Sequence, residues 1–586
     1  MKKFLFTIAT VALITGGGAY AQESDNAYKA TSLYTPVGNI SFGAWGRSTF
    51  EIGHENTSSK VSTDITTSDF SKSTTATMIE QSQSLPTGSL AAAEKAGIAS
   101  TLSSMGVADG DTSDSRNYAN LNPDWAYGCR VGFWIIGRTP DEHFGFDFNL
   151  DADARSLFVR AKDNTTDNND SATTNYNEDG KYAVAIGDQA KIWGIFDANP
   201  AFLTTKVAFG RMKEQDLRGS IGDFGQRESS DVKSEDDIFT EIWTATGLFA
   251  SAKGQKDTVL DGLIVQGAVD FTGAGDEDLD LPLYTAMRTF QGGVGYTIPG
   301  IAQIKAQFVG DTIAESNYKY AASKFKSARD AGFGANDYYG KMEFGIDYLG
   351  FMGGANGLSD VDLDANPNAS LIEWGVKVPI MGDNDLRAYD PETFYNWYTC
   401  LGTIGVIQKG FIMYKGHIWG GQGESNLENY TDIGTGSGLL NLEDPANIIM
   451  AGIDALAEVC ANPFGKQDVF IGLSANYNIT MADGDGYANS KALKLDDVSL
   501  KQHKIGAELY VKKTFGANNY FFIGVADRVT IAQMDGTLDV SDNITSKYAS
   551  QGLTSYGASG AGAKVDLSYK SFENKVYMPI GIEMFF

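Results

Sequence analysis

The C-terminal segment 575–586 carries apolar residues at even positions and mostly polar or small residues at odd positions. Successive side chains of a β-strand point to opposite faces, so Val576, Ile580 and Phe586 share one face, and Lys575 and Glu583 share the other. An apolar face of this kind is covered either by lipid around a membrane barrel or by the second sheet of a soluble β-sandwich. The C-terminus therefore predicts an amphipathic strand and leaves both architectures open.

The N-terminus has the pattern of an export signal. Two lysines precede an apolar run over 4–14, and an A-x-A site follows at Ala19 to Ala21. This pattern predicts a signal peptide over residues 1–21 with Gln22 as the first mature residue. No later run reaches the roughly 18 apolar residues that a membrane helix needs, which argues against a helical membrane protein.

An exported chain without membrane helices that ends in an amphipathic strand on Phe586 resembles the outer-membrane β-barrel proteins of Gram-negative bacteria. The resemblance implies an all-β fold, a single large transmembrane antiparallel up-and-down β-barrel located in the bacterial cell outer membrane. Its partners would be outer-membrane lipid and lipopolysaccharide or an equivalent lipid. The 42% hydrophobic fraction is typical of a barrel that is apolar outside and wet inside.

Alternating segments recur along the chain, each about the 9 to 11 residues that a tilted strand needs to cross a bilayer. They begin near residues 40, 131, 144, 203, 263, 294, 302, 342, 372, 469 and 505. Short and long connectors follow one another in turn, which predicts short periplasmic turns and long extracellular loops. The count is about 18 strands, with 16 as the alternative, because 351–368 and 381–467 show no clear assignment.

The predicted organisation is a signal peptide over 1–21, a short periplasmic segment over 22–38 and the barrel over 39–586. The predicted long loops are 53–125, 161–180, 212–238, 311–337, 481–498 and 531–571. The first of these loops contains a helical pattern from Ser89 to Ser104, with Ser89 as a candidate N-cap. We expect this helix over or in the mouth of the barrel, with a surface decoration as the alternative.

The strand faces opposite the apolar ones collect charged side chains of both signs. A Lys or Arg that points into lipid at the midplane costs about 2–4 kcal/mol, so this face predicts a water-filled interior. In a sandwich it would be the solvated face. The predicted pore-lining residues are Arg47, Glu51, Arg130, Asp147, Asp151, Arg155, Lys305, Lys341, Glu343, Lys377, Lys504 and Glu508.

The chain has a formal net charge of −28, and the predicted wall is nearly balanced, so the surplus negative charge falls in the loops. Such a composition disfavours nucleic acid as a partner, because phosphate binding needs clustered Lys and Arg. An acidic mouth raises the local cation concentration and predicts a mild, salt-sensitive cation preference. Solvated loops that merely repel their neighbours are the alternative.

The architecture also resembles that of general diffusion porins, in which the loop after the fifth strand folds inward as a constriction. The resemblance implies an acidic side on that loop and a basic side on the early strands, at Arg47, Arg130 and Arg155. The loop residues that it points to are Asp223, Phe224, Asp236 and Asp237. An ordinary surface loop is the alternative.

The sequence contains no pattern typical of an enzyme. The four histidines lack metal-ligand spacing, and neither G-x-S-x-G nor H-E-x-x-H is present. We therefore predict no catalytic residue, no metal and no cofactor. The three cysteines leave one unpaired; a disulfide between Cys400 and Cys460 and isolated thiols are both open, as is the role of Cys129.

These patterns predict an outer-membrane porin that forms a water-filled channel for passive diffusion of ions and small hydrophilic solutes, with a homotrimer suggested by analogy with general porins. The alternative is an outer-membrane surface protein or adhesin whose barrel anchors long binding loops.

Reversing the charge of one predicted wall residue gives a first prediction. Arg130→Glu should shift the ion selectivity toward cations without abolishing assembly, because it replaces a cation by an anion beside the ion path. Reversal potentials in a salt gradient measure the effect. Unchanged selectivity would remove Arg130 from the ion path.

Overall fold

The computed structural model describes most of residues 31–585. The described ranges are 31–35, 38–104, 107, 109–121, 129–153, 185–198, 202–214, 216–217, 242–270, 289–312, 340–352, 367–381, 394–425, 440–442, 446–488, 493–515, 519–539 and 562–585. The predicted signal peptide lies outside them.

The described chain is almost entirely β-strand. The strands are β1 Thr31–Thr35, β2 Gly38–Thr66, β3 Gly110–Leu121, β4 Cys129–Arg138, β5 Phe144–Asp153, β6 Ala185–Ala198, β7 Leu203–Glu214, β8 Ile242–Gly254, β9 Leu263–Asp270, β10 Thr289–Ile298, β11 Ala302–Thr312, β12 Gly340–Met352, β13 Ala369–Met381, β14 Phe394–Ile407, β15 Ile412–Ser425, β16 Leu440–Leu442, β17 Ala446–Cys460, β18 Val469–Ala488, β19 Leu493–Thr514, β20 Tyr520–Asp539 and β21 Lys564–Phe585. Two helices, α1 Thr74–Ser82 and α2 Ser89–Ser104, lie between β2 and β3.

The strands form a closed antiparallel barrel of 18 strands. Two of these are interrupted: β3 and β4 pair with successive parts of β2, and β16 and β17 pair with successive parts of β18. The short β1 pairs only with the start of β2. The ring closes where β2 pairs with β21, from Trp45 opposite Phe585 to Thr66 opposite Lys564. The predicted fold and the count of 18 are confirmed, and the unassigned segment 381–467 contains β14 to β17.

The two faces of β21 are as predicted. Val576, Ile582 and Met584 are exposed on the outside, whereas Gly581 and Glu583 are buried on the inside. Almost all of the remaining barrel strands also have an exposed apolar side chain on the outer face. Examples are Ile52, Phe133, Phe144, Ile192, Phe209, Val265, Val294, Ile304, Ile346, Trp374, Leu401, Ile418, Ile453, Leu473, Leu509 and Val525. This apolar belt rules out the sandwich and confirms a membrane barrel of the bacterial outer-membrane kind.

The polarity of the wall reverses toward the extracellular end of the longest strands. There, Val565 and Leu567 of β21 are buried on the inside, while Asp566 and Lys570 point outward. On β2, likewise, Ile65 is buried on the inside. A wall with an apolar inside and a polar outside is the pattern of a water-soluble sheet, so these strands continue beyond the lipid.

Three predicted loops therefore differ from the structure in their bounds. The predicted loop 53–125 is strand up to Thr66 and again from Gly110, most of 481–498 belongs to β18 and β19, and 531–571 contains the ends of β20 and β21. Above the lipid the outward side chains are polar, so the apolar alternation that marks a lipid-facing strand is absent there.

The predicted helix has the predicted bounds and lies in the mouth of the barrel. Ile98 and Leu102 of α2 are buried in a cluster with inward side chains such as Tyr398, Met450 and Leu567. Helix α1 has no counterpart among the sequence predictions. Neither described helix combines the length and the apolar character that crossing a membrane requires.

The N-cap prediction for Ser89 is wrong, because Ser89 is already the first helical residue and its hydroxyl donates to Pro86 O at 2.6 Å. Instead, the buried carboxylate of Glu80 from α1 accepts hydrogen bonds from the backbone of Gly88 and Leu90, each at 2.8 Å. A carboxylate at a helix N-terminus satisfies free N–H groups and interacts favourably with the helix dipole. One helix thus fixes the start of the other.

The two described cysteine side chains, Cys400 and Cys460, are both buried free thiols. Cys400 lies opposite Trp419, which lies opposite Gly452, so eight residues of β17 separate this level from Cys460. At about 3.3 Å per residue, that is about 26 Å along the strand. The disulfide alternative is therefore wrong.

One periplasmic turn is held by an ion pair. Asp468 lies 2.5 Å from the ammonium of Lys513 at the end of β19, and Asn462 donates to its carboxylate at 2.8 Å. The hydrogen bond from Lys513 holds the pKa of Asp468 below its usual value. The short turn between β17 and β18 is thereby tied to the neighbouring strand.

The polarity reversal can be tested on β20. Val525→Lys places a charge in the apolar belt and should make folding into vesicles less favourable by about 2–4 kcal/mol. Thr537→Lys puts the same residue on the same outer face in the extracellular part of the strand, beside Asp566, and should change it little. Equal effects in urea titrations would contradict the proposed upper limit of the belt.

Candidate functional site

The predicted pore-lining residues whose side chains are described lie on the inner face of the barrel. They are Glu51, Asp147, Lys305, Lys504 and Glu508. The others lie in strands without a described side chain, namely Arg47, Arg130, Asp151, Lys341, Glu343 and Lys377. Arg155 and the constriction residues Asp223, Phe224, Asp236 and Asp237 fall outside the described residues.

The inner wall from β9 to β19 is largely polar at the level of the belt. Its buried polar side chains include Gln266, Gln291, Gln303, Lys305, Gln307, Glu373, Lys415, His417, Asp454, Glu458, Ser474, Asn476, Asn478, Gln502, Glu508 and Lys512. Most of them alternate along the strand with apolar residues of the belt, as Gln303 and Lys305 do with Ile304. A polar inside wall at the height of an apolar outside wall is what a hydrophilic path through lipid requires.

Oppositely charged groups on the inner wall lie close together. The Lys512 ammonium donates to both carboxylate oxygens of Glu458 at 2.5 Å, and the Tyr510 hydroxyl donates to the same carboxylate at 2.6 Å. Lys191 lies 3.1 Å from Asp147. Buried charges are tolerated when they are paired and hydrogen-bonded. Each of these two pairs carries no net charge.

A histidine and an aspartate of the inner wall were missed by the sequence analysis. His417 on β15 and Asp454 on β17 are fully buried, with Nδ1 3.8 Å from Oδ2. Both fall in segment 381–467, which had no strand assignment. The alternation of Lys415 and His417 with Tyr414 and Ile418 was the signal that marks this inner face.

The loop after β7, the fifth barrel strand, starts on the inner wall. The backbone N–H groups of Asp216 and Leu217 donate to Gln266 Oε1 at 2.8 and 2.9 Å. The Asp216 carboxylate lies 2.7 Å from the Lys253 ammonium and accepts a hydrogen bond from the Ser251 hydroxyl. These contacts, which we call the 216–217 anchor, attach the loop to β8 and β9.

Two glycines make room for this anchor on β10. A Cβ atom at Gly293 or Gly295 would lie 2.6 or 2.5 Å from the methyl groups of Leu217, closer than real Cβ contacts. Leu217 is accordingly fully buried. The missing side chains thus form a seat for one apolar residue on an otherwise polar wall.

Beside the anchor the inner wall is apolar. Trp193, Ala208, Met212, Phe249 and Ala268 form a buried cluster on the inside of β6 to β9. The sequence predicts a water-filled interior from its charged residues, and none of the predicted pore-lining residues belongs to this apolar cluster.

The closed ring, the apolar belt and the polar inner wall define a transmembrane β-barrel protein. No protein-family model matches the chain, and no curated protein matches it.

Several solved outer-membrane barrels are similar in fold. OmpT of Vibrio cholerae is 9% identical, with a TM-score of 0.29 over 95% of this chain and 100% of that one. OpdK of Pseudomonas aeruginosa, solved with vanillate, is 9% identical, with a TM-score of 0.32 over 92% of this chain and 98% of that one. Wzi of Escherichia coli, a carbohydrate-binding barrel involved in capsule assembly, is 8% identical. Its TM-score is 0.33 over 90% of this chain and 84% of that one. Similarity this low says nothing about what this chain transports or binds.

The 216–217 anchor can be tested by proteolysis. Lys253→Ala leaves the Asp216 carboxylate without its cation, so the loop should detach and trypsin should cleave after Arg218 faster than in the wild type. The free energy of unfolding should fall by about 1–3 kcal/mol, since a buried charged group loses its partner. Lys256→Ala, on the neighbouring turn, removes the same kind of residue and should leave both readouts unchanged. Equal cleavage in the two variants would contradict the anchor.

Proposed function

We propose that the protein is a porin-like channel for passive diffusion of ions and small hydrophilic solutes across the outer membrane. The observation that supports it is the polar inner wall at the level of the apolar belt. Buried Gln303, Lys305 and Gln307 of β11 alternate there with the lipid-facing Ile304 and Phe308. Polar side chains confined to the inner face, behind an apolar outer face, are what a hydrophilic path through lipid requires.

The proposed channel is narrower than an unobstructed ring of 18 strands. On one side, Ile98 and Leu102 of α2 pack against the inner wall of β14 to β21. On the other side, Asp216 and Leu217 are held against β8 to β10. Helix α2 and the 216–217 anchor each take space inside the ring, so selection by solute size belongs to the proposal.

The cation preference is part of the same proposal. The paired charges of the inner wall contribute little net charge, whereas the whole chain carries 74 acidic against 46 basic residues. The acidic surplus lies elsewhere, and at the mouth it concentrates cations before they enter. The predicted pore-lining and constriction residues stay proposals of where that field acts. The passive channel needs no catalytic group.

A second candidate is a surface-binding protein anchored by the barrel. It is favoured by the dry core of the extracellular part, in which residues such as Leu495, Val498, Leu538 and Val565 pack around α2. A packed extracellular end presents a rigid surface, as a binding protein requires. An anchor of this kind needs no open path, so ion conductance separates the two candidates.

Conductance in planar bilayers tests the proposal. The purified protein should pass ohmic current with a reversal potential that favours cations and that weakens as the salt concentration rises. Leu102→Asp places a charge in the core around α2 and should raise the single-channel conductance by displacing the helix. Leu85→Asp, at a more exposed position between the helices, is the matched control and should conduct like the wild type. Absence of current from correctly folded wild-type protein would favour the surface-binding candidate.

A further inference from the structure

Two ion pairs of the inner wall differ in their contact with water. Lys512 lies 2.5 Å from Glu458, and the two side chains are each 5% exposed. Lys575 of β21 lies 2.7 Å from Glu573, and these side chains are 31% and 35% exposed. Both pairs belong to the inward parity of their strands, so they differ in their position around the ring. The inside of the barrel is therefore wet at Lys575 and dry at Lys512.

Other polar side chains in contact with water surround the exposed pair. The strand register places Arg528 of β20 opposite Lys575, and Thr530 opposite Glu573. Lys504 of β19 lies opposite Thr530. All of them point inward and are partly exposed. We call the five residues Lys504, Arg528, Thr530, Glu573 and Lys575 the seam strip.

The contact with water continues from the seam strip onto β3. Glu55 of β2 lies between Lys575 and Arg116 in the strand register. The Arg116 guanidinium is 66% exposed and donates at 2.7 Å to the Glu55 carboxylate, which is 8% exposed. Asp114 and Thr112, the next inward residues of β3 toward the cell exterior, are exposed too. Polar side chains in contact with water thus follow one side of the barrel to its extracellular part.

The arc from β11 to β17 is closed to water at the level of the belt. Lys305, Glu373 and Asp454 point inward there and are 1%, 0% and 1% exposed. A charged side chain that lines open water keeps part of its surface exposed, because complete burial of a charge is costly. This arc is polar, but it does not line the water-filled space.

Helix α2 covers the seam wall only on the extracellular side of the strip. The buried core around the helix includes Ala532 of β20, two residues beyond Thr530, and Tyr569 of β21, four residues beyond Glu573. At about 3.3 Å per residue, the strip lies about 7–13 Å along the strands from these core residues. The strip is therefore left open on the periplasmic side of the helix.

We propose that the water-filled path follows the seam strip and β3, and that Arg528, Glu573 and Lys575 determine which ions pass. This path presupposes the proposed channel function and places it on one side of the barrel. Of the predicted pore-lining residues, it includes Lys504 and leaves out Lys305. Because cations and carboxylates stand side by side in the strip, removing a charge of either sign should change the selectivity.

Thiol labelling of the full-length mature protein in vesicles tests the path. Thr530→Cys and Ser474→Cys place a thiol on the inner face of β20, where it is partly exposed, and of β18, where it is buried. A small quaternary-ammonium methanethiosulfonate should modify Thr530→Cys at least about 10-fold faster, since buried thiols are inert. Intact-mass spectrometry counts the adducts against the wild type, which has three cysteines. Ser499→Cys, exposed on the outer face of β19, should react and shows that the reagent is active.

The same modification should lower the single-channel conductance of Thr530→Cys, because the adduct narrows the path, and should leave that of Ser499→Cys unchanged. Equal labelling rates for Thr530→Cys and Ser474→Cys, or an adduct on Thr530→Cys that leaves the current intact, would overturn the proposal. Labelling requires no current, so a wild type that does not conduct refutes the channel, whereas an unreactive Thr530→Cys refutes the seam path.

Charge variants test the role in selectivity. In a salt gradient, Glu573→Gln should shift the reversal potential toward anion preference, and Lys575→Gln should shift it toward cation preference. Both variants break the same ion pair, so a purely structural effect would shift the potential in the same direction or not at all. Either of those results would remove the pair from the ion path.

Discussion

The structure depends on the pairing of its first long strand with its last. In lipid, every backbone N–H and C=O group needs a partner within the protein, and an open sheet edge leaves a row of them unsatisfied. Pairing of β2 with β21 over 22 residue positions removes both edges at once. The inner wall, helix α2 and the 216–217 anchor all require this closed ring, because an inside exists only once the ring is closed.

Closure also explains why the same strands follow opposite polarity rules along their length. Where lipid surrounds the ring, an apolar outside and a polar inside are favourable, as at Leu509 on the outside and Glu508 on the inside of β19. Beyond the lipid, water is outside and α2 fills the inside, so Leu538 and Met534 turn inward instead. On β20 and β21 the same parity faces inward from end to end, and only the environment on each side changes.

The sequence predicted those features that follow from a repeating pattern of side chains within one segment. The C-terminal strand, the barrel, its 18 strands and the bounds of α2 follow from alternation and helical pattern within single segments. Strand ends above the belt were missed because their outward residues are polar, and α1 and the cap at Glu80 were missed because they depend on contacts between segments. The 216–217 anchor was beyond reach for the same reason, since Gln266, Lys253 and two glycines of different strands create it.

The distribution of charge links the interior to the exterior. Inside, cations lie beside carboxylates, as Lys512 does beside Glu458 and Lys191 beside Asp147, so the buried wall avoids the cost of isolated charge. Outside, charges of both signs stand on the polar levels of the seam strands, as Lys570 and Asp566 of β21 do. The difference follows from the two media, because a buried charge needs a protein partner whereas an exposed charge is solvated by water.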